Sequence, residues 1–63
     1  MNRVNYTGTI HTPGTTIAGF DFGGRERRGV ITEYSAPGGW YAVRTNAYGD
    51  TAVIRVETAH VSR

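Results

Sequence analysis

Nine glycines and nine threonines are scattered through the sixty-three residues, and in no window do apolar residues recur at the three-to-four spacing of a helix face. Glycine interrupts helices, and β-branched threonine favours extended backbone. The chain therefore reads as strand, turn, strand. The clearest strand is Gly29 to Tyr34 (GVITEY), followed by a turn at Ser35-Ala36-Pro37-Gly38-Gly39 and a second strand from Trp40 to Thr45 (WYAVRT). Asn46-Ala47-Tyr48-Gly49-Asp50 closes a further hairpin onto Thr51 to Val56 (TAVIRV). Upstream, Thr16 to Phe22 (TIAGFDF) reads as a strand ending at Gly23-Gly24; downstream, Glu57 to Val61 (ETAHV) reads as a short turn and a last strand. Four to five antiparallel strands are expected over residues 16–63, with residues 1–15 as an N-terminal arm or edge strand.

Such a chain forms one domain, and one of this size buries only about 60% of the surface its unfolded form exposes. With no cysteine present, disulfides are excluded and a structural metal is disfavoured, which leaves self-association as the remaining support. A homo-oligomer is expected. No apolar run approaches the roughly 18 to 20 residues of a membrane span, and MNRVNYTGTI lacks the apolar stretch of a signal peptide. The expectation is a soluble cytoplasmic protein without a membrane partner.

Alternation along the strands sorts side chains onto two faces. The arginines mark the solvent side, so Ile31, Tyr41, Val43, Ala52, Ile54 and Val56 are assigned to the core, with Ile17, Phe20 or Phe22, and Val61 closing its ends. The outer set is Trp40, Arg44, Val53, Arg55, Val30, Thr32 and Tyr34. An outer face this rich in aromatic and apolar residues marks an interaction surface. Two other readings stand beside it: the N-terminal arm covers these residues, or a bulge reverses the alternation and Trp40 is core.

All seven basic residues are arginine, and the formal charge is +2. Arginine offers a planar fork of donors suited to phosphate and base edges, although codon bias in a GC-rich genome produces the same usage. Three of the seven fall in Gly23-Gly24-Arg25-Glu26-Arg27-Arg28-Gly29, read as a glycine-flanked loop before the first clear strand. Arg25, Arg27 and Arg28, with Tyr34, Trp40, Arg44 and Arg55, make a candidate surface for nucleic acid or another partner: arginines contact phosphates and aromatics stack on bases. The alternative is a solvated loop in which Glu26 pairs with a neighbour.

Catalytic chemistry has little to draw on. Ser35 and Ser62 are the only serines, His11 and His60 the only imidazoles, and no pair of them has a recognised local spacing for a nucleophile and base or for a metal shared with Asp21 or Asp50. The five carboxylates are scattered, and the lysine of a phosphate-gripping loop is missing. No catalytic site, metal or cofactor is expected.

From Gly29 onward the chain resembles small SH3-like barrels. Gly39-Trp40-Tyr41-Ala42-Val43, the turn at Gly49-Asp50, Ile54-Arg55-Val56 and Ala59-His60-Val61 resemble the second half of the plasmid-borne type II dihydrofolate reductases. That resemblance implies a small barrel that assembles into an oligomer around a pore. The family lines its pore with a Val-Gln-Ile-Tyr stretch and a lysine; here the matching stretch is Ala52-Val53-Ile54-Arg55 and only Ile54 carries over. The expected function is a non-enzymatic module that binds DNA or RNA. The alternatives are an adaptor or inhibitor of phage or plasmid type that binds a host protein through the same face, and an oligomeric enzyme like those reductases.

Overall fold

A computed structural model describes residues 10–62 of the chain. Its strands are β1 (Thr16–Phe20), β2 (Glu26–Ser35), β3 (Trp40–Arg44), β4 (Thr51–Arg55) and β5 (His60–Val61), with one 3-10 turn at Val56–Thr58. They form a single antiparallel sheet in the order β4-β3-β2-β1-β5. The fold is all-β with five antiparallel strands, as the sequence implies. The ladder does not close on itself, so β4 and β5 remain its two edges.

Side chains fasten each connection. Asp21 Oδ1 accepts the backbone N–H of Gly23 and of Arg25, both at 2.9 Å, while the Asp21 N–H donates to the Arg25 carbonyl. An aspartate that satisfies its own turn in this way ends β1 at Phe20, two residues earlier than alternation alone implies. Between β2 and β3, the Gly39 N–H donates to the Ser35 carbonyl at 2.8 Å and the Gly38 N–H to Ser35 Oγ at 3.0 Å.

The arginine cluster is not a loop. β2 begins at Glu26, so Arg27 lies opposite Gly19 and Arg28 opposite Ala18 in the β1 ladder, and only Arg25 stays in the turn. Arginine tolerates a strand because its aliphatic stem can lie along the sheet while its head stays wet. β2 therefore runs ten residues, pairing with β1 through its first half and with β3 through its second.

Cross-strand partners share a face. Ile31 opposite Val43, Val43 opposite Ala52 and Tyr41 opposite Ile54 define the inner one. With Ile17 and Val56 they make a core in which Ile17, Tyr41, Val43 and Ile54 are fully buried, and Ile10, Ala52 and Ala59 pack against it. Each large apolar side chain so buried contributes about 1.5–3 kcal/mol. The Tyr41 hydroxyl accepts the His11 N–H at 2.9 Å. Ile10 and His11 thus lie on the core side, and Gly14 and Thr15 bond to the β2 backbone at Ile31; the rest of the expected arm, residues 1–9, lies outside the described residues.

Phe20, Phe22 and Val61 do not close the core, being 45%, 63% and 50% exposed. The inward position at that end of β1 belongs to Gly19, where a Cβ would stand 2.7 Å from Ile54 Cγ2. The missing side chain lets the sheet coil until β1 meets β4, leaving no room for a phenylalanine. Tyr34 also changes sides. The β2–β3 register shifts between Ile31 and Glu33, a bulge at Thr32, after which Tyr34 lies opposite Tyr41 on the core-side face. Trp40 stays opposite Arg55 on the outer face, so the alternative in which a bulge reverses the alternation and makes Trp40 core does not hold.

Candidate ligand-binding face

The outer face is built from rows that the register fixes. Thr16, Val30, Arg44 and Thr51 lie side by side across four strands, with Ala18 and Arg28 forming the next row on β1 and β2. Ala42 opposite Val53, and Trp40 opposite Arg55, continue the surface toward the other end of β3. Val30, Trp40, Arg44, Val53 and Arg55 thus share the face assigned to them from sequence.

Gly29 shapes the first of these rows. A Cβ there would stand 2.5 Å from the Arg44 carbonyl oxygen and 3.0 Å from Val43 Cγ2, so the end of β3 rests directly on this residue. β3 then stops while β2 continues toward the β1 hairpin, and the following loop rises beside it. An open groove of about 410 Å³ results, lined by Thr16, Arg28, Gly29 and Val30 from β1 and β2 and by Arg44, Thr45, Asn46 and Ala47 from the end of β3 and the loop after it.

The loop wall is heavily bonded. Asn46 Oδ1 accepts the Tyr48 N–H at 2.9 Å and the Asp50 N–H at 3.3 Å, Asn46 Nδ2 donates to Asp50 Oδ2 at 2.8 Å, and the Thr45 N–H donates to the Asp50 carbonyl at 2.8 Å. At its tip Tyr48 is 93% exposed. From sequence alone Tyr48 reads only as part of a turn. The available signal was an aromatic ring in a segment whose other residues already account for the turn.

The opposite end of the face is electrostatically quieter. Arg55 Nε donates to Glu57 Oε2 at 2.9 Å, its Nη2 contacts the same oxygen, and its guanidinium carbon lies 5.9 Å from the centre of the Phe22 ring. That hydrogen bond is the main reason the Glu57 carboxyl is held below its ordinary range. The Trp40 indole packs on Gly38 and is only partly exposed.

Of the residues singled out from sequence, Arg28 and Arg44 meet at the groove, and Trp40 and Arg55 sit together at the other end. Arg25 and Arg27 belong to the β1–β2 hairpin end, where the backbone hydrogen bond from Arg25, opposed in part by desolvation and aided by the nearby arginine charges, lowers the Asp21 pKa. Tyr34 stands on the other face, its ring centre 6.2 Å from that of Tyr41. Among the described residues no group of three His, Cys, Asp or Glu side chains is placed to hold a metal ion, and no helix is long and apolar enough to cross a membrane. Comparison with protein-family models, curated proteins and solved structures returned no match to this chain.

Proposed function

We propose that the protein is a small non-enzymatic binding module that takes the phosphate backbone of a nucleic acid into the groove between β2 and the β3–β4 loop. The observation that carries this reading is the convergence of Arg28 and Arg44 on one open groove of about 410 Å³. Two guanidinium groups bordering one open groove match the chemistry of a phosphodiester chain. Among the described residues Arg44 makes no ion pair, so none of them neutralises its charge. A cysteine-free composition accords with the reducing cytoplasm in which such a ligand is met.

The direct test is fluorescence anisotropy with labelled DNA and RNA at two salt concentrations, comparing wild type with Arg44→Ala. Binding that weakens steeply with salt, and a variant with a shallower salt dependence, support the reading. Absence of binding to any nucleic acid at low ionic strength overturns it.

A second reading is favoured by the other end of the face. Phe22, Val53 and Trp40 surround Arg55, and aromatic residues around an arginine are the usual make-up of a protein hot spot. A host protein or a second copy of the chain would cover this patch, the latter aided by the two open sheet edges. The solution mass separates the two, and Phe22→Ala should abolish whichever association is seen. The reductase resemblance offers less support, since Ile54, the one pore residue carried over, is fully buried in the core.

A further inference from the structure

We infer that the groove receives single-stranded nucleic acid, with an unpaired base stacked on Tyr48. The inference rests on the nucleic-acid reading above and adds a choice between strand forms. Its basis is the contrast between an almost wholly solvated ring and the bonded loop that presents it.

Tyr48 is 93% exposed, the most exposed of the large apolar or aromatic side chains described. It directly follows Asn46 and Ala47, which line the groove together with the two arginines. The loop is held at its base by Thr45 and Asp50 and across its middle by Asn46, so the ring stands on a preorganised support. Preorganisation lowers the ordering cost of any contact the ring makes. Trp40, the aromatic at the other end of the outer face, is partly buried against Gly38 and less able to accept a base.

A duplex shows the groove only its phosphates, because its bases are already stacked and paired. A single strand offers phosphates to Arg28 and Arg44 and, from a neighbouring nucleotide, a free base face to Tyr48. Stacking of this kind is sequence-tolerant, since every base has a π-face.

The test uses anisotropy at low salt with fluorescein-labelled twelve-nucleotide oligothymidylate, oligouridylate and a DNA duplex of equal length. Wild type should bind at least one single strand about tenfold or more tightly than the duplex. Tyr48→Ala should erase that difference while leaving duplex affinity and the folded circular-dichroism spectrum unchanged, and Tyr48→Phe should retain it. Equal wild-type affinity for single strand and duplex, or a Tyr48→Ala variant that keeps the preference, overturns the inference while the nucleic-acid reading stands. Failure of wild type to bind any of the three probes overturns both. The two single-strand arms identify whether DNA or RNA is preferred.

Discussion

Arg44 and Arg55 each end a strand, β3 and β4 respectively, and both lie on the outer face at opposite ends of the ladder those strands share. Their surroundings differ. Arg55 is bonded to Glu57 and approached by the Phe22 ring, whereas Arg44 makes no ion pair among the described residues and borders an open groove. The cause is the next few residues of chain. A 3-10 turn after β4 returns Glu57 to Arg55, while after β3 the first carboxylate met is Asp50, already held by Asn46 Nδ2. Two identical side chains on one surface thus acquire different capacities from the turn chemistry that follows each.

The largest test of this contrast is Gly29→Ala, which places a methyl group against the Arg44 carbonyl oxygen and forces the end of β3 off β2. A loss of about 2–3 kcal/mol is expected in urea unfolding, a large share of the stability available to a domain of this size. An unchanged midpoint would show that the β3 end does not rest on Gly29.

Next in size is the effect on binding. Arg44→Ala should weaken nucleic-acid affinity about five- to tenfold at low salt and lower the salt slope by about one, while Arg55→Ala should change affinity less than about twofold. Equal losses from the two substitutions would erase the distinction between the ends.

The order reverses for stability. Arg55→Ala and Glu57→Ala should each cost under about 1 kcal/mol, as exposed ion pairs do, and the double variant should cost no more than either alone; Arg44→Ala should leave the unfolding midpoint in place. The smallest effect is a pH dependence. Asp21 and Glu57 have lowered pKa values when folded, so the stability they contribute is present above the ordinary carboxylate range and is lost as pH falls through their folded values. Stability followed by circular dichroism should fall slightly as acidification protonates Glu57 and its contact with Arg55 is lost. Asp21→Asn and Glu57→Gln should flatten that dependence at the acid end.

Much of the framework was legible because it rests on local rules. Trp40 to Thr45 and Thr51 to Val56 each run one residue past the observed strand, and alternation, with the arginines marking the solvent side, places Ile17, Ile31, Tyr41, Val43, Ile54 and Val56 inside. The misses depend on information from another strand. Arg27 and Arg28 look like loop residues until β1 is seen to pair with them, and the Thr32 bulge that turns Tyr34 over appears only when β2 is laid against β3. Phe20 is excluded from the core by Gly19, whose role becomes visible only with Ile54 across from it. For the candidate site, Arg28 and Arg44 were legible as cations but their shared groove was not, because it depends on where β3 stops. Tyr48 is inconspicuous in the sequence because turn composition accounts for its neighbours.

The length of β2 has a consequence for how the chain breathes. Its first half belongs to the hairpin with β1 and its second to the hairpin with β3; Val30 is matched on both sides, to Thr16 and Arg44. Ile31 is likewise flanked, opposite Val43 on one side and bonded through its N–H to the Thr15 carbonyl on the other. Fraying from either tip of the sheet converges on these two residues, which makes them the last backbone to be wetted. In amide exchange the slowest protons should therefore lie at the midpoint of β2, with protection decaying outward along both hairpins.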